Sequence, residues 1–289
     1  MKIKVSSIGS ATIVNAIAIG CGSAFGIDLD IVVDVKTNSN ETKFKSDIGA
    51  NTDLMEICTK NVFSYFNINE NDLSLSIKTK SNLPMASGLS SSSALSNGII
   101  FALSNIISEE FDKPYLNDYD IINLAIDSSL EAGVTITGAF DDATASYFGG
   151  VTVTNNKYRE ILKQETMDEL PVLIYMPNYI SKSGESDINR MKLLSPLVKD
   201  AFKLALNGEY FKALILNGLL YSSTLGFNSS IAIDGLNSGA LASGLSGTGS
   251  SFVAISPEDK IDDIKNAWNN YEGKIIESYV NNNGIKVLK

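Results

Sequence analysis

The chain has 289 residues, 44% of them hydrophobic, and 33 acidic against 23 basic side chains give it a net charge of -10. That length and apolar content supply the core of one large domain or two fused ones without disulfide staples, and the two cysteines, Cys21 and Cys58, allow one bridge at most, which fits a reducing, cytoplasmic setting. Histidine is absent, which excludes an imidazole base, a serine-histidine-aspartate triad and histidine metal ligands, and the acidic balance argues against a nonspecific nucleic-acid or anionic-membrane binder.

Lys2 and Lys4, an apolar stretch and then Ala18-Ile19-Gly20-Cys21 faintly resemble a lipoprotein cleavage box. Asn15 interrupts that stretch, however, and Gly9, Gly20, Gly22 and Gly26 punctuate it as strand and loop. No run reaches the ~18 to 20 apolar residues needed to cross a bilayer. Ile27, Leu29, Ile31, Val33 and Val35 alternate with mostly polar neighbours, the pattern of a strand with one buried face, and Leu73, Leu75 and Ile77 repeat it. Between them, 53–66 reads as a helix with Leu54, Ile57, Val62 and Tyr65 on a shared face. A polar loop over 80–84 leads into a serine-rich turn, and then 94–107, apolar on several faces, reads as a buried helix.

A second helix is expected over 116–132 and a strand over 147–154; the polar stretch 155–169 is the best place for a domain boundary. Beyond it come a strand at 172–176, helices at 189–206 and 209–219, a glycine-rich loop, and a strand at 251–255. An amphipathic helix through Ile261, Ile264 and Trp268 and a terminal strand pair complete the chain. The expected class is α+β in both halves, 1–158 and 159–289.

Three clusters carry chemistry. In Leu83-Pro84-Met85-Ala86-Ser87-Gly88-Leu89-Ser90-Ser91-Ser92-Ser93-Ala94 a small-residue loop opens a helix, where unsatisfied amides with partial positive charge can close around phosphate oxygens and serine hydroxyls add ligands. In Gly244-Leu245-Ser246-Gly247-Thr248-Gly249-Ser250-Ser251 a glycine-rich loop precedes an apolar strand. Between Glu131 and Ser146, Glu131 stands at a helix end, and Asp141 and Asp142 stand in a loop beyond it, all among small and apolar residues. Paired carboxylates of this kind serve metal-assisted phosphoryl transfer when no histidine is present, one holding magnesium and one orienting the acceptor hydroxyl.

Pro84, three residues, then Gly88-Leu89-Ser90-Ser91-Ser92 before a buried helix resembles the phosphate loop of the GHMP kinases, and no Gly-Lys-Ser/Thr marks it as a Walker loop. The second cluster resembles the third motif of that superfamily, with Ser250 in place of the usual proline. Gly9-Ser10-Ala11-Thr12-Ile13-Val14-Asn15-Ala16 resembles the first motif but lacks its Gly-Glu-His ending. Gly138-Ala139-Phe140-Asp141-Asp142-Ala143, with Asn15-Ala16-Ile17-Ala18, Gly22-Ser23-Ala24-Phe25-Gly26-Ile27 and Asn217-Gly218, is similar to the archaeal-type shikimate kinases of the superfamily, from Gly9 to about Ile255.

The resemblance implies a two-domain GHMP kinase fold, with an N-terminal domain like ribosomal protein S5 domain 2 and a ferredoxin-like C-terminal domain. It implies transfer of the ATP γ-phosphate to the 3-hydroxyl of shikimate with Mg2+, in a cytoplasmic monomer or homodimer without nucleic-acid or membrane partners. Residue by residue, it places ATP on Pro84, Ala86, Ser87, Gly88, Leu89, Ser90, Ser91, Ser92, Ser93 and Ala94 with Gly247, Thr248 and Gly249, and Mg2+ on Ser92 and Glu131. Asp142 becomes the base, with Asp141 taking that role if the loop is shifted by one, and Asn15 and Asp142 meet the acceptor. A buried carboxylate on the acceptor wants a planar donor, and of the two arginines, Arg159 and Arg190, the latter is the candidate, with Lys182 its rival. A homoserine kinase of the same superfamily and a catalytically silent binding protein are the alternatives; Ser92, Glu131, Asp141 and Asp142 speak against the silent form.

Overall fold

The computed structural model describes residues 1–38, 41–47, 52–178 and 187–288. Strands β1 (Lys2–Val14) and β2 (Cys21–Asn38) form a long antiparallel hairpin. In β2 the expected alternation is realised: Leu29, Ile31, Val33 and Val35 are buried while Asp28 faces solvent. The strand is long enough to serve two neighbours. Its second half pairs with β4 (Ser74–Ser81) and its first with β5 (Val151–Asn155), both antiparallel. Strand β3 (Lys43–Ser46) adds to β4 in parallel, β6 (Glu160–Glu165) adds to β5, and β11 (Lys286–Leu288) adds to β1, giving a seven-stranded sheet. Cys21 thus opens β2, paired with Asn155.

Helix α2 (Ser91–Glu110) crosses β1 and β2 and is flanked by α1 (Thr52–Phe66) and α3 (Asp118–Glu131). It is buried on nearly every side, as its all-round apolar sequence requires. Gly98 permits this close approach, since a Cβ there would stand 2.8 Å from Val33 Cγ2. The buried face of α1 is rotated from the expected one: the i, i+4 row Leu54, Cys58, Val62, Phe66 meets α2 and α3, while Ile57 is half-buried and Tyr65 is exposed. Helix α4 (Phe140–Phe148) replaces what reads as loop and strand start. Left-handed Gly138 and Ala139 lead into it, Phe140, Ala143 and Tyr147 anchor it at helical spacing, and Gly149 and Gly150 end it before β5.

The second sheet is antiparallel in the order β10 (Gly273–Tyr279), β7 (Pro171–Pro177), β9 (Phe252–Ile255), β8 (Ala242–Leu245). Helices α5 (Ile188–Lys192), α6 (Ser195–Leu206), α7 (Tyr210–Leu225), α8 (Ser230–Asn237) and α9 (Ile261–Trp268) accompany it. The supposed single glycine-rich loop contains α8 and β8, and the polar stretch 155–169 contains the edge strand β6, whose mostly exposed side chains hide its alternation. The expected terminal strand pair is divided: β10 joins β7, whereas β11 returns to β1 after Asn281 bonds Gly26 and Gly150. The larger sheet therefore takes members from both sides of residue 158. Helix α7 joins the two sheets' territories, packing on both β8 and β1, and its Gly218 lies so close to Gly244 that a Cβ would be 2.4 Å from the Gly244 Cα. No helix among the described residues is long and apolar enough to cross a membrane.

Candidate active site

A cleft of about 810 Å³ lies where the end of β1, the serine loop, the start of α4 and the 244–251 loop converge. The serine loop is built on three left-handed residues, Ala86, Gly88 and Ser90, two of which pay strain for having a Cβ. Ser246 secures it from the other side: its hydroxyl accepts the Thr12 amide at 3.1 Å and donates to the Gly88 carbonyl at 2.7 Å. Only glycine fits at 88, because a Cβ would fall 2.4 Å from the Ser246 carbonyl oxygen. Ser90 is pinned by Ser10, whose hydroxyl donates to Ser90 Oγ at 2.7 Å.

The first bond of α2 runs from the Ala94 amide to the Ser90 carbonyl at 2.9 Å, which leaves the amides of Ser91, Ser92 and Ser93 outside the helical ladder. Ser90 makes no side-chain cap, so this helix end opens on the cleft as an anion site. Of the residues expected to hold ATP, Ala86, Ser87, Gly88, Ser90 through Ser93, Gly247 and Thr248 line the cleft. Leu89 and Ala94 instead point into the core, Gly249 packs against Phe227, and Pro84 stands behind the loop, where Ser87 Oγ donates to its carbonyl at 3.0 Å.

Asp141 and Asp142 lie in the first turn of α4, not in a loop, and both line the cleft. Asp141 is 4% exposed, and its Oδ1 accepts a hydrogen bond from the Asn156 side-chain Nδ2 at 2.7 Å. Asp142 Oδ1 is buried with no hydrogen-bond partner. Burial pushes the Asp141 carboxyl above the usual range, against the pull of the Asn156 bond. Burial and then the neighbouring Asp141 charge push Asp142 well above it, against the Ser90 hydroxyl. None of the described residues lining the cleft is cationic.

The remaining expected residues fall differently. Asn15 lines the cleft, but its Oδ1 caps the short turn Ala16–Ala18 by accepting the Ile17 amide at 2.9 Å. Its backbone is held by two fully buried side chains of α7: Asn217 Oδ1 accepts the Asn15 amide at 3.1 Å, and Tyr221 donates to the Asn15 carbonyl at 3.4 Å. Glu131, the last residue of α3, is exposed and accepts a bond from Asn61 Nδ2 at 3.1 Å; the nearby Ser129 and Ala132 line the cleft, while Glu131 itself does not. Arg190 is exposed on α5, which packs against the Ala16–Ala18 turn at the cleft's rim. Lys182 lies outside the described residues. Among those residues, no group of three or more acidic or cysteine side chains forms a ready metal site. Asn156, Thr12 and Tyr221 were not legible as site residues; Asn156 sits in a polar stretch with no motif around it.

An open helix start facing the buried Asp141 and the half-buried Asp142, on this pair of sheets, is the arrangement of an ATP-dependent small-molecule kinase. The descriptions GHMP kinases N terminal domain and GHMP kinases C terminal match residues 54–150 and 217–274, and the chain belongs to the GHMP kinase family. It is similar over its whole length to proteins named shikimate kinase. The one from Methanobrevibacter smithii is 60% identical over 288 residues, covering 100% of both chains. The one from Methanothermobacter thermautotrophicus is 48% identical, covering 100% of this chain and 99% of the other. Among solved structures, the Methanococcus jannaschii mevalonate kinase shares the fold with a TM-score of 0.78 at 18% identity, covering 97% of this chain and 98% of that one. Homoserine kinase from Cytophaga hutchinsonii gives 0.72 at 16% identity, covering 99% and 97%. The α+β fold implied by the resemblance is the fold found.

Proposed function

We propose that the protein transfers the γ-phosphate of ATP to the 3-hydroxyl of shikimate, giving shikimate 3-phosphate and ADP, a cytoplasmic step toward aromatic amino acids. The observation that carries the chemistry is the pair Asp141–Asp142, the first buried and the second with its Oδ1 buried and unpartnered, beside the open serine loop in a cleft whose described lining holds no cation. A carboxylate pair so withdrawn from water, with no cation among the described residues lining its cleft, is costly, and a cation arriving with the substrate would relieve it.

The donors present, the Ser92 hydroxyl, the acid pair and incoming phosphate oxygens, are all hard oxygens and include an orphaned buried one, Asp142 Oδ1, which fits Mg2+. Ser92 and a carboxylate of the pair would hold it; Glu131 joins only by leaving Asn61. When bound, the ion supplies neutralisation of the triphosphate charge. The amides of Ser91 to Ser93 and the serine hydroxyls grip the phosphates. The acceptor hydroxyl oxygen forms a bond to the γ-phosphorus as the bond to the β-bridging oxygen breaks, ADP leaves, and the hydroxyl proton passes to Asp142, whose raised carboxyl pKa makes it the stronger base of the pair. Arg190, on the helix bordering the Ala16–Ala18 turn, would take the acceptor's carboxylate.

Shikimate as the acceptor is supported by the full-length relatives of that name. A coupled ADP-release assay offering shikimate, homoserine and mevalonate separately tests it: turnover should require shikimate and Mg2+. Turnover with homoserine and none with shikimate would overturn it.

A further inference from the structure

We propose that Asn156 is a positioning residue for Asp141: its carboxamide, braced by Thr154, and the bare Cα of Gly22 hold the carboxylate between them. The assignment rests on the phosphoryl-transfer role proposed for the acid pair. A buried carboxylate that no cation among the described lining residues faces keeps its place through donors that replace the lost water. Asn156, 7% exposed, supplies one through Nδ2 to Asp141 Oδ1 at 2.7 Å. A carboxylate only accepts, so the NH2 group must face it, which turns the amide oxygen toward Thr154. There the Thr154 hydroxyl, fully buried, donates to Asn156 Oδ1 at 2.7 Å. The chain Thr154 to Asn156 to Asp141 thus runs in one direction, with each polarised donor strengthening the next.

The backbone fixes the other side. The Asn156 amide donates to the Gly20 carbonyl at 2.9 Å, and Thr154 is the register partner of Gly22 across β5 and β2. The same strand pair therefore delivers both jaws. At Gly22 a Cβ would fall 2.2 Å from Asp141 Oδ2 and 2.8 Å from its Cγ, so glycine here is space for the carboxylate. An arginine or lysine at 156 would hold Asp141 too, but would neutralise it; an amide orients the acid and leaves its charge for the reaction.

The test measures turnover and ADP binding for Asn156→Ala, the near-isosteric Asn156→Asp, Thr154→Val and Thr154→Ser, with a thermal melt confirming that each folds. Asn156→Ala is expected to lower kcat by roughly 100-fold, the scale of a misplaced reacting group, while the ADP dissociation constant by calorimetry stays within about twofold. Asn156→Asp, which sets an acceptor against an acceptor, should lose at least as much. Thr154→Ser, keeping the hydroxyl, should restore most of the turnover that Thr154→Val loses. A purely structural role would instead move melting and ADP affinity together and treat Thr154→Ser like Thr154→Val; that pattern, or kcat of Asn156→Ala within about threefold of wild type, overturns the proposal. A crystal structure of Asn156→Ala gives a readout independent of substrate: the Asp141 carboxylate should leave its place by about 1 Å or more, and an unmoved carboxylate overturns the proposal. Wild-type turnover of shikimate in the same assay decides the functional reading separately.

Discussion

Asp141 and Asp142 stand side by side in the first turn of α4, and the Oδ1 atom of one is taken by Asn156 while that of the other is buried with no partner. The role proposed for Asp142 therefore sets function against stability. The ligand-free fold carries an acid it would rather keep protonated, and the raised carboxyl is the mark of that conflict.

The sign of the pH effect follows. A carboxyl whose folded pKa lies above its unfolded one contributes stability that is fully present below the unfolded pKa and lost as pH rises through the folded one. Asp142→Asn should accordingly melt together with wild type near about pH 4 and above it near about pH 8, at roughly 2–4 °C per kcal/mol relieved. Its kcat should fall by about 100-fold or more. Thermal melts of both proteins across that range, without nucleotide, check the first part; equal melting at every pH would deny that burial and the Asp141 charge raise this carboxyl. If Asp141→Asn is crippled while Asp142→Asn turns over normally, the base is Asp141.

Gly88→Ala puts a Cβ against the Ser246 carbonyl at a φ of +79°, so the loop must open away from the 244–251 loop. ADP affinity should drop about tenfold or more, with a stability loss of roughly 1–3 kcal/mol from the strained backbone. Calorimetric titration with ADP checks it.

Ser92→Ala should raise the Mg2+ concentration for half-maximal rate about tenfold, since a ligand oxygen at the helix start is lost. Glu131→Gln, whose carboxylate stands on Asn61, should shift it less. Rate against Mg2+ at saturating ATP measures both, and the reverse order would bring Glu131 to the metal.

Arg190→Lys should raise the KM for shikimate about tenfold and leave that for ATP nearly unchanged, because a point charge cannot reproduce the guanidinium fork. An unchanged shikimate KM would return Arg190 to a surface role.

Much of the site was legible because its physics is local. The serine loop announces itself through small residues before an apolar helix, and β2 through strict alternation from Ile27 to Val35. What was hidden depends on contacts distant in sequence. Asn156 matters only because β5 pairs with β2, and Tyr221 only because α7 packs on β1. Helix α4 was missed because two adjacent acids and flanking glycines read as a loop, although Phe140, Ala143 and Tyr147 already carry its helical spacing. The metal role expected of Glu131 rests on motif position alone, and the last turn of α3 presents its carboxylate to Asn61.

The identity of the phosphorylated atom can be read by 31P NMR of the protein with ATP, Mg2+ and shikimate. A new phosphomonoester signal coupled to the proton on carbon 3 of shikimate should grow as the γ-phosphate signal declines and be strongly diminished in Asp142→Asn. Loss of the γ-phosphate to inorganic phosphate alone, or a monoester formed only when homoserine replaces shikimate, would contradict the proposed transfer.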